Sequence, residues 1–246
     1  MSALVIDTVC KNFGGVRALS DISFTVEPQQ RRLIIGPNGA GKTTLFNMVA
    51  GAFPVTSGKI TLFDRDITRL PAYERARMGL ARTFQITNLF PRLTVLENIL
   101  LALQAADRSA FCLHRPMRSN HHLFQAANAL LDRWDLTAIA EQPAKEISYG
   151  EKRQIDLILA MAVQPRILLL DEPTAGLSAA EVIRVVGMIR ALPEDMTILM
   201  IEHDMDVAFD LADRIAVLHQ GRLIAEGDVE TVRNDPHVTE IYLGAD

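Results

Sequence analysis

Nine consecutive residues, Gly36-Pro37-Asn38-Gly39-Ala40-Gly41-Lys42-Thr43-Thr44, place the tightest limit on what this chain can fold into. Gly36 and Gly41 bracket four residues and are followed by Lys42 and Thr43, which is the spacing of a P-loop. An apolar run precedes the segment and a helical pattern starts near Thr44, so the context is strand, loop, helix. Each residue type has a physical reason. Glycines let backbone N–H groups turn inward around phosphate oxygens, and the N-terminus of the following helix adds positive potential. Lys42 can reach β- and γ-phosphate oxygens, and the Thr43 hydroxyl can ligate Mg2+. An ordinary glycine-rich turn has no need of Lys-Thr at its end.

A second segment, Ile167-Leu168-Leu169-Leu170-Asp171-Glu172, is an apolar strand that ends in two carboxylates, the shape of a Walker B strand. Asp171 is expected to serve Mg2+ through water. Glu172, one residue further, is the expected general base for the attacking water. A strand-end acidic pair in solvent is the plainer alternative. Further β-type runs occur at 4–9, 22–26, 32–35, 60–63, 197–201 and 215–219, several separated by helical patterns. The later ones are continuously apolar, as strands buried on both faces of a parallel sheet are. Between about 86 and 154 helical signals replace them, including Thr94 and Glu97 as a capping box. The stretch 108–122 reads as a loop or helix junction. His114, His121 and His122 within it lack carboxylate or cysteine partners at metal-ligand spacing, so solvated histidines are expected.

Composition removes several function classes. With 246 residues, 49% of them hydrophobic, the chain can bury a sizeable core. The net charge of −5 and scattered basic residues argue against a nucleic-acid partner or an anionic membrane footprint. Cys10 and Cys112 are isolated, which suits a reducing, cytosolic setting. No run of 18 apolar residues predicts a membrane span, and the N-terminus has no leader-like segment. A membrane role would have to come through a partner.

The segment that separates one class of P-loop protein from another is Ile147-Ser148-Tyr149-Gly150-Glu151-Lys152-Arg153-Gln154. Ser148 and Glu151 have the spacing of a helix N-cap and its capping box. A serine hydroxyl and glycine backbone at a helix N-terminus also make an anion site, and both readings can hold at once. This segment resembles the signature of ATP-binding cassette (ABC) ATPases, commonly Leu-Ser-Gly-Gly-Gln, and stands shortly before the Walker B strand as it does there.

Further matches follow in the order of that family. Gln85 resembles the Q-loop glutamine that touches Mg2+ and water; His203 resembles the switch histidine on the γ-phosphate. Phe13 stands where the family stacks an aromatic on adenine. Leu70-Pro71-Ala72-Tyr73-Glu74-Arg75-Ala76-Arg77, Ala81-Arg82-Thr83-Phe84-Gln85, the run Leu89-Phe90-Pro91-Arg92-Leu93-Thr94 with its continuation to Asn98, and Glu202-His203-Asp204-Met205 look like the ATPases of branched-chain amino-acid importers. So does the ending Ile241-Tyr242-Leu243-Gly244-Ala245. Lipopolysaccharide-export ATPases share parts of this and are the alternative, with a soluble, non-transport ABC ATPase a further one.

The resemblance implies a RecA-like P-loop NTPase α/β core with an antiparallel β portion. One ABC ATPase domain would span 1–246, its core at about 1–85 and 155–246 and its helical subdomain at about 86–154. It implies ATP and Mg2+ as ligands, held by Phe13, the loop 36–44, and Ser148 and Gly150 of a second subunit. Glu172, His203 and Gln85 would be catalytic, and Thr43, Gln85 and Asp171 would serve the metal. It also implies partners: membrane permease subunits, a second ABC ATPase in a homo- or heterodimer, and a periplasmic or extracellular substrate-binding protein. The subunit would lie on the inner face of the cell membrane. Leu89 and Phe90 are expected in a groove for a permease helix, while Leu96, Ile99 and Leu100 are expected inside the helical subdomain. Two departures stand out: Tyr149 and Glu151 replace the usual Gly and Gln of the signature, and Ser178 in Ala175-Gly176-Leu177-Ser178 stands where the D-loop usually has Asp.

Overall fold

The computed structural model describes residues 1–83, 89–107 and 120–243, and for Thr239 and 241–243 the backbone alone. The chain forms two compact units, one of residues 1–82, 166–173 and 189 onward, the other of 83–165 and 174–188.

The first unit holds two sheets. Strands β1 (Leu4–Phe13) and β2 (Val16–Val26) form a hairpin and, with β4 (Ser57–Leu62) and β5 (Arg65–Asp66), make an antiparallel sheet of order β2-β1-β4-β5. The second sheet contains β3 (Arg31–Ile35), β6 (Leu80–Arg82), β7 (Ile167–Asp171), β8 (Thr197–Ile201), β9 (Arg214–His219) and β10 (Arg222–Gly227), in the order β10-β9-β3-β8-β7-β6. From β9 to β6 all pairings are parallel, and β10 closes one edge antiparallel. Every residue of β7 and β8 is buried, as their unbroken apolar runs predict. The fold is thus mixed α/β with an antiparallel portion.

Helix α1 (Lys42–Ala50) starts two residues earlier than its helical pattern suggests, directly at the P-loop lysine. Its Leu45, Phe46, Met48 and Val49 join a core that contains Leu4, Ile22 and Ile60 of one sheet and Ile34, Leu169 and Leu199 of the other. The C-terminal carbonyls of α1 are satisfied from α2 (Ala72–Arg77): Arg75, 2% exposed, donates through Nη1 to the Val49 carbonyl at 2.8 Å and through Nε to the Leu70 carbonyl at 2.8 Å. Three short helices complete this unit, α7 (Met205–Leu211), α8 (Val229–Arg233) and α9 (Pro236–Leu243).

The second unit is helical, with α3 (Val95–Ala106), α4 (His121–Arg133), α5 (Tyr149–Ala162) and most of α6 (Ala179–Arg190). The Thr94 cap forms with both halves of its box present: Glu97 N–H donates to the Thr94 hydroxyl at 3.1 Å, and Thr94 N–H to the Glu97 carboxylate at 2.9 Å. Ile99 and Leu100 are buried and Leu96 partly so, while Phe90 is 59% exposed. This unit differs in extent from the expected 86–154. Helix α5 runs unbroken past 154 to Ala162, and residues 174–188, which follow the Walker B strand in sequence, also belong to this unit. His121 and His122 lie in the first turn of α4, and His122 Nε2 is 3.0 Å from the Asp107 carboxylate. His114 and Cys112 lie outside the described residues.

Candidate functional site

The loop after β3 folds as its glycines require. Gly36 passes so close to β9 that a Cβ there would lie 2.1 Å from the Leu218 carbonyl. Gly41 is the N-cap of α1 with φ 101°, in the left-handed region that favours glycine. Around the loop lies a cavity of about 420 Å³, lined by Asn38, Gly39, Ala40, Gly41, Lys42, Thr43 and Thr44 together with Glu172 from the end of β7. The remaining wall comes from Val16, Arg17 and Ala18 of β2 and from Gln220 and Gly221 of the β9–β10 turn. That turn is tied down on both sides: Ser20 N–H donates to the Gly221 carbonyl at 2.7 Å, and Gly221 N–H to the Ala40 carbonyl at 3.1 Å.

Lys42 is 6% exposed. Its ammonium donates to the carbonyls of Gly36 at 2.6 Å and Pro37 at 3.1 Å. Burial pushes it below the ordinary lysine range, while the charges of Glu172 and then Asp171 pull it back up. An anion in the cavity would add further support for the charged form.

Glu172 follows β7 with φ 47°, a left-handed conformation that costs a non-glycine residue roughly 1 to 3 kcal/mol. Its N–H donates to the Ile201 carbonyl at 3.0 Å, so this turn is anchored to β8. Asp171 is 1% exposed and ion-paired with Arg82 at 2.6 Å, and Arg82 also donates to the Asn47 side chain of α1 at 2.6 Å. Among the described residues no cluster of three His, Cys, Asp or Glu could hold a metal ion. A hydroxyl at Thr43 with a carboxylate at Asp171 does suit Mg2+, a hard cation that keeps several waters and arrives on phosphates rather than in an all-protein cage.

The other expected contacts are spread more widely. Phe13 is cross-strand from Val16 and 44% exposed, with its ring edge-on to Phe53 at 5.7 Å between centroids; it does not line the cavity. His203 follows β8 with an exposed side chain, its Nδ1 3.8 Å from the fully buried Glu202 carboxylate. Gln85 lies outside the described residues. Ser148 and Gly150 begin α5 in the second unit, with the expected capping box formed: Glu151 N–H to the Ser148 hydroxyl at 3.2 Å, Ser148 N–H to the Glu151 carboxylate at 2.7 Å. Sequence reasoning missed Arg17, Arg82, Gln220 and Gly221. Only Gln220-Gly221 left a signal, a glycine-containing pair directly after the strand-like run 215–219.

With that geometry established, the family model described as ABC transporter matches residues 19–175. The chain belongs to the ABC transporter family. It is therefore an ATPase of the ABC type, and a second model, described as branched-chain amino acid ATP-binding cassette transporter, matches residues 222–246 of this ABC chain. A high-affinity branched-chain amino acid transport ATP-binding protein, LivG, of Escherichia coli (strain K12), is 38% identical, covering 98% of this chain and 97% of LivG. The lipopolysaccharide export system ATP-binding protein LptB of the same organism is 33% identical over 100% of this chain and 99% of its own. Among solved structures, the ADP conformation of an ATP-binding cassette of an ABC transporter superposes with TM-score 0.83 at 30% identity, covering 99% of each chain. Among the described residues of the ABC subunit, no helix is long and apolar enough to cross a membrane.

Proposed function

We propose that this chain is the ATP-hydrolysing subunit of a membrane transporter that imports branched-chain or other hydrophobic amino acids, acting from the inner face of the membrane as one ABC ATPase domain over its whole length. The observation that carries the catalytic half is the cavity that joins Lys42 and the N-terminus of α1 to Glu172. The likeness to LivG supports the transported class.

In this reading residues 36–44 cradle the phosphates and Lys42 exchanges its two carbonyl acceptors for β- and γ-oxygens. Phe13, beside the cavity rather than in its wall, stacks on the base. Thr43, Asp171 and Gln85 hold Mg2+, which when bound neutralises charge on the β- and γ-phosphates. Glu172 takes the proton of the attacking water, with His203 on the γ-phosphate. Ser148 and Gly150 of a second subunit, identical or homologous, close over the same γ-phosphate, so ATP draws two subunits together and hydrolysis releases them to drive the permease. A substrate-binding protein delivers the amino acid.

The test has two readouts. Glu172→Gln protein should pair with ATP and Mg2+ but not with ADP in sedimentation velocity; absence of pairing, alone or with a second ATPase of the same system, would overturn the dimer mechanism. In proteoliposomes with the permease and binding protein, this chain should support ATP-dependent leucine uptake. The LptB likeness favours a second reading, export of a lipid-linked saccharide. ATPase stimulated by a lipopolysaccharide permease and indifferent to amino acids would select it.

A further inference from the structure

The signature helix and the D-loop, the two places where this chain departs from the usual ABC pattern, meet at one side chain, Glu181. Helix α5 spends two of its first N–H groups on the Ser148–Glu151 capping box. Gly150, two residues after the cap, has a different neighbour. Gly150 lies so close to Glu181 that a Cβ on it would sit 2.1 Å from Glu181 Oε1.

Glu181 stands three residues after Ser178, in the first turn of α6. Its Oε2 accepts from Ser178 N–H at 2.8 Å and from the Ser178 hydroxyl at 2.6 Å. The segment just before Ser178 is also stitched to α5, since the Tyr149 hydroxyl donates to the Ala175 carbonyl at 3.3 Å. All these residues belong to one unit. The Ser178 hydroxyl, then its N–H, and more weakly the N–H of Gly150 hold the Glu181 carboxyl below the usual carboxylate range. A negative charge thus already rests on the N-terminus of a 14-residue helix, where its positive end is strongest.

We propose that the Glu181 carboxylate rests at the Gly150 end of the anion site of Ser148 and Gly150, and that a γ-phosphate must displace it before two subunits can pair. This rests on the reading of Ser148 and Gly150 as the γ-phosphate contact of the opposite subunit. Displacement frees Ser178 as well, so arrival of a phosphate at one subunit is transmitted directly to its D-loop. The serine in place of Asp then has a reason: its hydroxyl donates to the carboxylate, whereas an Asp would repel it. Plain capping of α6 by Glu181 would involve Ser178 alone and leave Gly150 indifferent.

Glu181→Gln keeps the shape and an acceptor oxygen while removing the charge. In the Glu172→Gln background, the ATP concentration for half-maximal pairing should fall roughly two- to fivefold, the range for one charge at an exposed helix terminus. Binding of a fluorescent ATP analogue by the separated monomers should not change. Independently of pairing, inorganic phosphate should move the Gly150 amide resonance at several-fold lower concentration in Glu181→Gln than in the unaltered protein. An equal phosphate response in both proteins, or a pairing midpoint that stays or rises, would overturn the proposal. Failure of Glu172→Gln to pair at all would instead sink the dimer mechanism, and the Gly150 resonance would still decide whether Glu181 holds the anion site.

Discussion

In the proposed mechanism Glu172 and Lys42 act on different states of the nucleotide, so their substitutions should separate accordingly. Glu172→Gln removes a base and leaves the phosphate cradle intact, so phosphate release should drop on the order of a hundredfold to ten-thousandfold while ATP affinity, measured by equilibrium binding, holds. Lys42→Ala removes the buried cation that faces ground-state phosphates and should weaken binding itself. Glu181 offers a pH test. Its folded pKa is lowered from the ordinary carboxylate value, so the stability it lends is present above that ordinary value and lost as pH falls through the depressed one. Urea midpoints of the unaltered protein and Glu181→Gln should therefore differ at neutral pH and converge in acid. Contiguous chemistry is why residues 38–44 and Glu172, which line one cavity, stood out in the sequence. Arg82 on Asp171 and Glu181 on Gly150 did not, because each pair joins distant segments and only folding defines it.

Elements read best where burial leaves no choice. The strands at 167–171 and 197–201 carry nothing but apolar side chains up to their ends, and were legible for that reason. β5, β6 and β10 were not: two are three residues or fewer, and β10 alternates exposed and half-exposed residues along a sheet edge. The start of α3 shows what one buried polar residue does for a loop. Asn98, 3% exposed, accepts from Phe90 N–H at 2.8 Å and donates to the carbonyls of Phe90 at 3.2 Å and Thr94 at 2.9 Å. It clamps the turn that holds Phe90 out into solvent. Asn98→Ala should cost about 1 to 3 kcal/mol in urea unfolding and speed hydrogen exchange at the Phe90 amide, since several bonds to one side chain go together.

At the scale of the molecule, the expected permease contact at Phe90, which is exposed, can be tested directly. Phe90→Glu should leave the ATPase of the isolated protein unchanged and abolish transport in the reconstituted complex; loss of both would mark Phe90 as structural. The order of the second sheet has another consequence. β3 is complete early in synthesis, yet its two neighbours are β8 and β9: Leu33 pairs with Met200 on one side and with Ile215 on the other. Until the ribosome has released nearly the whole chain, an apolar strand stands with both edges open. Nascent chains ending before about residue 196 should therefore bind holdase chaperones and aggregate when released, whereas chains extended through β9 should resist protease. Closing loops of that length before any pairing is gained also places this ABC subunit among the slow folders. The same central strand that carries the P-loop thus waits with both edges open until β8 and β9 have been made.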